Sequence, residues 1–536
     1  MDYQNDRFGS ASPTPFIELK KAQIIGGSGI SFGYDKTRRH KLAAAGDGSV
    51  ALFCGPGGGK SAAIFQGNLI DAKFPGNFLC FDPRGENLAV SMLALSLAGY
   101  SIYVVNPAGL LGLPQHRVNP LDHLTINSRS LIGDIQKLAL DLCPSPSGAK
   151  SSWAYDDARR WLNDLLLFDV ERNGCATLAG VFELLTNIQG DVERWCDRLE
   201  EMQQSRFPTV RTFANEIITL QQSGRDGFTA PYGVLLSAFE FMRDPRLQDM
   251  FGGSDFSLQD LVLQPQIAVF VVWPIEYVRS QAPAIRLIHG SAIQAKFRSP
   301  GGIPLSMLID ECGQLGKQES IREMFTFGRG AGLINNLCAW QEVSQIRSSI
   351  GNQADEIIGS AQYRVFKSVR TVETAHLVSQ MAGTMTLPYD DENNQSNAKR
   401  LKQHAAHQLL SGINILQAAS DLRHYQLAAE HQVRQARPVL TPDEVLNLPA
   451  SAMVAFASGK VEGAILGHWI NHFDRRDLRG RFLPNPYHDA ERVRIKSTLG
   501  HRLAPIVEES VPDRLAHLPQ YASGYWRYVS GFRPRI

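Results

Sequence analysis

Lys60 and Ser61 follow a glycine-rich run, Gly55-Pro56-Gly57-Gly58-Gly59, and about 250 residues later Asp310 and Glu311 close an apolar stretch, Leu305 to Ile309. Each half has a definite chemistry. Glycines let successive backbone N–H groups turn inward around an anion, and the start of a helix at Ser61 and Ala62 adds its partial positive charge. The Lys60 ammonium can reach outer phosphates and the Ser61 hydroxyl can hold Mg²⁺. Two adjacent acids at a strand end supply the complement: Asp310 for the metal shell and Glu311 to polarise an attacking water. The expected ligand is a nucleoside triphosphate with Mg²⁺. Taken singly, each half also reads as ordinary structure, a glycine turn with a solvated lysine or a strand that happens to end in acids. The pattern G-x-x-x-x-G-K-[ST] asks for glycine at position 54, where this chain has Cys54. A small side chain fits there if φ is negative, and it places an oxidisable thiol beside the phosphates.

The elements that must carry these residues are legible from periodicity. Val50 to Phe53 reads as a buried strand and Ser61 onward as a helix with Ile64 and Leu69 on its apolar face. Asn77 to Phe81 is a second strand, ending in Asp82-Pro83-Arg84-Gly85-Glu86. A helix from Asn87 to Leu97 and a strand from Ile102 to Val105 follow. Strand, helix, strand at this spacing is a parallel βαβ unit with its chemistry at the strand C-termini. Asp82 and Glu86 line that edge or serve structure, and the structural role is favoured.

From Ser128 to Met242 six segments have helical periodicity without strand-like runs. In one of them Trp153, Asp157 and Trp161 share a face that reads as helical core rather than as a base-stacking platform. The sheet resumes at Ile267 to Trp273, continues at Pro304 to Ile309, Leu333 to Ala339 and Tyr363 to Ser368, and closes at Ala452 to Ala457. The expected fold is α/β: a RecA-like P-loop domain with a mostly parallel twisted sheet, plus an inserted all-α domain. The divisions fall at 1–48 (an N-terminal segment of turns and short strands), 49–126, 127–256 (all-α), 257–460 and 461–536. Tyr389 to Ala398 is polar enough for a mobile loop.

Composition sets bounds. A chain of 536 residues with a formal charge of +1 can bury a large core, and any nucleic-acid contact must come from a local basic surface. Asp474 to Ile536 is the basic stretch, twelve Lys and Arg against seven Asp and Glu, interleaved with aromatics. A solvated strap is favoured there over a nucleic-acid or partner patch. Seven dispersed cysteines without a C-x-x-C pair argue for reduced thiols in a cytoplasmic protein and against a zinc site. Leu88 to Val105, the longest apolar tract, is broken by Gly99-Tyr100-Ser101 and reads as a helix end running into a strand, so no transmembrane helix is expected.

The order of motifs resembles the type IV secretion coupling proteins, the TraG/TraD type of conjugative DNA-transfer ATPase. The matching pieces run from Gly9-Ser10-Ala11 through the glycine loop, Asp82-Pro83-Arg84-Gly85-Glu86 and Asn119-Pro120-Leu121-Asp122. They continue with Asp310-Glu311-Cys312-Gly313-Gln314, Gly328-Arg329-Gly330-Ala331-Gly332, Gln341 and Arg437-Pro438 to Val445. The resemblance implies a hexameric ring with ATP at its interfaces and a channel for single-stranded DNA, a relaxase–DNA conjugate or effector proteins. It assigns Lys60 and Ser61 to phosphates and Mg²⁺, Asp310 and Glu311 to the acidic pair, Arg329 to a finger on a neighbour's γ-phosphate, and Gln341 to a sensor. A local salt bridge and a buried amide are the plainer roles for those last two. The family usually begins with transmembrane helices, whereas this sequence starts at what resembles the first cytoplasmic residues. The expectation is a bacterial cytoplasmic protein, peripheral at the inner membrane, which it reaches through other secretion components. Two other readings stay open: a nucleotide-binding recruitment scaffold with little hydrolysis, and a soluble DNA-packaging or segregation pump.

Overall fold

The computed structural model describes residues 8–145, 152–223, 226–351, 354–389, 392–410, 415–430, 433–498 and 500–535. Its sixteen strands are β1 (Ser31–Asp35), β2 (Lys41–Ala43), β3 (Val50–Cys54), β4 (Asn77–Asp82), β5 (Ser101–Val105), β6 (Ile267–Val272), β7 (Leu305–Ile309), β8 (Leu337–Trp340), β9 (Tyr363–Lys367), β10 (Thr384–Tyr389), β11 (Val433–Pro438), β12 (Ala452–Ala457), β13 (Ile465–His468), β14 (Arg492–Ser497), β15 (Gly500–Ser510) and β16 (Tyr525–Val529). Eleven of them form one sheet in the order β2-β1-β13-β12-β9-β3-β8-β7-β4-β6-β5. From β9 to β5 every neighbour pair is parallel. From β9 out to β2 every pair is antiparallel.

The inner parallel strands β3, β4, β6 and β7 are buried on both faces, which is why they read as continuous apolar runs. Alternate residues serve opposite cores. Ala51, Phe53, Leu79, Phe81, Met307 and Ile309 face one side, with the helices that follow β5 and β6. Leu52, Cys54, Phe78, Cys80 and Leu308 face the other, with the helices that follow β3 and β4. Between β5 and β6, Leu131–Leu142, Ser152–Asn173, Leu178–Gly190, Val192–Gln203 and Pro208–Ser223 lie close to the expected segments, whereas the segment expected at Val234 to Met242 starts earlier, as Asp226–Ala238, and Pro245–Phe251 and Asp260–Leu263 are additional helices. In the Trp153, Asp157, Trp161 stripe only Trp161 is core; Trp153 is 46% exposed.

Three elements differ from expectation. The leading segment holds a short helix, Phe16–Lys21, and its strands β1 and β2 join the main sheet. Residues 392 to 398 of the expected mobile loop open the helix Glu392–Leu410, which packs on Ile415–Glu430; Asp390 and Asp391 lie outside the described residues. Finally, the basic tail is no strap. β14, β15 and β16 form a meander, whose Val493, Ile495, Ala504 and Val529 pack on Ile70, Val90 and Ala94. The helix Glu86–Leu97 is therefore covered twice, by the sheet at Leu88 and Leu95 and by the meander at Val90 and Ala94. A helix packed on two faces needs apolar residues on both, which explains the long apolar tract without a membrane. Among the described residues no helix is long and apolar enough to cross one.

Candidate active site

β3 delivers the glycine loop at the C-terminal edge of the parallel strands. Gly57 and Gly59 have φ of +74° and +83°, the left-handed region where a Cβ is strained, so their glycine character is required by the turn itself. Gly58 is required by its neighbour: a Cβ there would stand 2.3 Å from the Cys54 sulfur. Cys54 is the last residue of β3, fully buried, and its φ is not among the positive ones. Burial pushes its thiol up to about 11, against the pull of Lys367 and Lys60. The thiol is thus protonated and inert rather than the oxidisable group its position suggests. Ser61–Phe65 opens the following helix as a wide turn, which Gln66–Asp71 continues.

β7 brings the acids to the same edge, two strands away. Lys60 Nζ lies 3.3 Å from Asp310 Oδ1 and bonds Glu311 Oε1 directly. Ser61 Oγ donates to Asp310 Oδ2 at 3.4 Å, and Gln341 Nε2 donates to Glu311 Oε2 at 3.0 Å. Glu311 sits at φ +52°, ψ +41°, a costly conformation for a residue with a side chain. Burial pushes Asp310 up to about 6, with Lys60 opposing and Glu311 adding to the rise. Burial draws the Lys60 ammonium down, but the two carboxylates outweigh it and the net shift is upward. A buried carboxylate and a hydroxyl within 3.4 Å form an all-oxygen set, the donor chemistry of a hard divalent cation such as Mg²⁺.

Five of the expected residues, Lys60, Ser61, Asp310, Glu311 and Gln341, therefore converge. Arg329 does not. It ends the helix Glu319–Ala331 at the opposite edge, where its Nε donates to Asp47 Oδ2 at 2.7 Å. Asp47 precedes β3, whose five residues span roughly 16 Å at strand rise. Gln341 is not merely a buried amide, since its side chain holds Glu311 while its backbone N–H donates to Gln345 Oε1 at 2.8 Å.

Sequence reasoning missed two cations at the loop. Lys367 Nζ donates to the Gly58 carbonyl at 2.5 Å, and an Arg370 guanidinium nitrogen donates to the Pro56 carbonyl at 2.7 Å. Both follow from β9 lying beside β3, a neighbour relation that no local pattern reveals. Asp82 ends β4 next to β7; burial pushes it up to about 7, against the Leu88 N–H it accepts at 2.9 Å and with Glu86 and Asp310 adding. Glu86 accepts from Asn485 at 2.8 Å, and Arg84 stacks 4.6 Å from the Tyr487 ring centroid, so this turn is clasped by the segment leading into the meander.

The family model described as Type IV secretory system Conjugative DNA transfer matches residues 19–485, nearly the whole main sheet and its helices. The chain belongs to this family. Conjugative DNA-transfer relatives include the conjugal transfer protein TraG of Escherichia coli, 26% identical over 65% of this chain and 53% of its own length. TraG of Agrobacterium fabrum (strain C58 / ATCC 33970) is 21% identical over 76% of this chain and 58% of its own. The chain thus spans about half the length of the curated relatives it matches. Among solved structures, the unbound bacterial conjugative coupling protein TrwBdeltaN70 superposes with TM-score 0.54 at 17% identity, covering 78% of this chain and 84% of that one. Plasmid coupling protein TrwB in complex with ADP and Mg²⁺ superposes with TM-score 0.52 at 18% identity, over 79% and 85%. This conjugative DNA-transfer family member therefore has the TrwB-like fold, a large mixed sheet with a helical unit, in line with the RecA-like expectation.

Proposed function

We propose that this protein is an ATP-driven coupling motor, which hydrolyses MgATP to deliver single-stranded DNA, protein–DNA conjugates or proteins to a type IV secretion channel. One observation carries the reading: Lys60, Ser61, Asp310, Glu311 and Gln341, drawn from three strand ends, meet within hydrogen-bonding reach. The family match and the TrwB relative held with ADP and Mg²⁺ support it. Bound MgATP supplies the phosphoanhydride that the reaction splits. The N–H groups from Gly55 to Ala62 and the Lys60 ammonium hold phosphate oxygens, while Ser61 and Asp310 offer oxygen donors to the metal. Glu311 takes the proton of the attacking water, and Gln341 fixes the orientation of the Glu311 carboxylate.

Arg329 is too far from its own Lys60 to serve it, and its exposed edge suits a finger directed at a neighbouring chain's nucleotide in a ring. Such a ring, hexameric by analogy with the family, working at the inner membrane with other secretion components, is part of the proposal. The test is ATP turnover by the full chain with and without single-stranded DNA. Stimulation by DNA, abolished in Lys60→Ala, supports the motor; no turnover at saturating ATP and DNA leaves a recruitment scaffold. Mass measurement with nucleotide must find an oligomer, and Arg329→Ala must lose turnover within it.

A further inference from the structure

We propose that Asn471 reads the base of the nucleotide: its carboxamide, on the flank of the glycine loop away from the acids, is a hydrogen-bonding subsite for an adenine ring. This rests on the triphosphate reading and concerns the end of the ligand which that reading leaves open. β13 is antiparallel to β12, and β12 to β9, so β13 points the same way as β3 and ends at the same edge. It hands over directly to Trp469, Ile470 and Asn471. Trp469 lies beneath the Lys367 ammonium, 4.9 Å from its ring centroid, and that ammonium bonds the loop at Gly58. Asn471 Oδ1 stands 3.7 Å from where a Cβ on Gly59 would be. The next residue, His472, is buried and donates from Nδ1 to the Ala62 carbonyl at 3.1 Å. Arg475 donates to the Gly67 carbonyl at 3.5 Å one helical turn on. The segment is therefore bonded along the whole side of the loop helix.

Direction decides the ligand. Lys60 and the two acids mark the outer-phosphate end, and the sheet order puts those acids on the β8–β7 side of β3. The inner phosphate then lies at the helix start, Ser61–Ala62, and the nucleoside leaves toward the β9–β12–β13 side. Asn471 stands there, on the same flank as Lys367 and Arg370 from the β9 end. Its carboxamide is half-buried and has no hydrogen-bond partner among the described residues. A carboxamide offers one donor and one acceptor side by side, the complement of the adenine N6–H and ring-nitrogen edge. Ala62 and Ala63, at the helix start beside Asn471, are small and half-buried.

The test compares ATP with inorganic tripolyphosphate on the full chain, in wild type, Asn471→Ala, the same-shaped Asn471→Leu, and Lys60→Ala, by calorimetry. We expect wild type to bind ATP more tightly than tripolyphosphate. Both Asn471 variants should lose about 5–20-fold in ATP affinity with tripolyphosphate affinity unchanged, the loss of about two modest hydrogen bonds. Purine riboside triphosphate, which lacks the N6 amino group, should bind wild type more weakly than ATP and the variants equally. Unchanged ATP affinity in both variants, or equal losses for ATP and tripolyphosphate, overturns the base subsite. Tripolyphosphate binding that Lys60→Ala abolishes, with no preference for ATP in wild type, overturns it too while the phosphate loop stands. If wild type binds neither ligand, both readings fall.

Discussion

The two edges of one sheet carry the same kinds of charge in opposite settings. At the C-terminal edge Lys60 lies between Asp310 and Glu311, with side-chain exposures of 14%, 6% and 18%. At the N-terminal edge Arg329 pairs with Asp47 at exposures of 64% and 39%. Distances are similar, yet the consequences are not. Buried charges interact through a medium of low dielectric and depend on one another, so removing any one changes the rest. Water screens the exposed pair, which leaves Arg329 free to exchange Asp47 for a stronger anion.

The contrast breaks first at Lys60. Lys60→Ala removes the only ammonium that bridges Asp310 and Glu311 among the described contacts. Nucleotide affinity should fall roughly 100-fold or more, since a buried charged partner is lost, and calorimetry with ATP reads it. Affinity within a few-fold of wild type would show that the loop does not bind phosphates. Glu311→Gln comes next. It keeps the shape and the Gln341 contact but cannot take a proton, so turnover should drop about 10²–10⁴-fold with ATP still bound. A rapid-quench assay separates chemistry from release, and unchanged turnover would assign the proton to another group.

A third way to sharpen the comparison uses pH. Asp82 is fully buried behind Asp310 and is pushed up to about 7, so the folded chain holds a proton that the unfolded chain gives up near 4. A carboxyl with a raised pKa stabilises the fold below pH 4, and that contribution is lost as pH rises through 7. Thermal stability should therefore fall between pH 5 and 7.5. Asp82→Asn can still accept from Leu88 and has no proton to lose, so its stability should depend less on pH and exceed wild type at pH 7.5 by on the order of 1–3 kcal/mol. Asp310, pushed up to about 6, keeps its own part of the slope. Parallel curves for variant and wild type would contradict the buried-acid account.

What the sequence disclosed follows the same division. Whereas β8 begins at Leu337, four residues after the expected Leu333, the inner strands β3, β4, β6 and β7 are buried on both faces, and their apolar runs announce themselves within a residue or two. So do Lys60, Ser61, Asp310 and Glu311, because turn chemistry and strand ends are local. Lys367, Arg370 and Asn471 stayed hidden because their roles depend on which strands lie beside β3. β1, β2 and β13 are only three to five residues long, too short for a clear alternation to show in the sequence. The meander was concealed by alternation of arginine with apolar residues, Arg492-Val493-Arg494-Ile495, which composition averages into a basic stretch. Counted as charge it is a strap; counted by period two it is a half-buried strand. Arg329 was found as a residue, but its distance from Lys60 could only come from topology.

The smallest expected effect on stability is at Arg329, and there the comparison is most exposed to failure. The Arg329–Asp47 pair sits in water, so Arg329→Ala should cost no more than about 0.5 kcal/mol and shift the melting temperature by about 1 °C or less. Nucleotide affinity of the dissociated chain should not change, because the arginine lies across the sheet from its own Lys60. Asp47→Ala should be as mild, since it only frees the guanidinium. Raising salt from 50 to 500 mM should then affect the two variants and wild type alike, whereas a pair that mattered to the fold would make wild type alone salt-sensitive. A loss of several degrees in Arg329→Ala would mean that the exposed edge is structural after all. An arginine that braces its own chain in that way is not free to reach a neighbour.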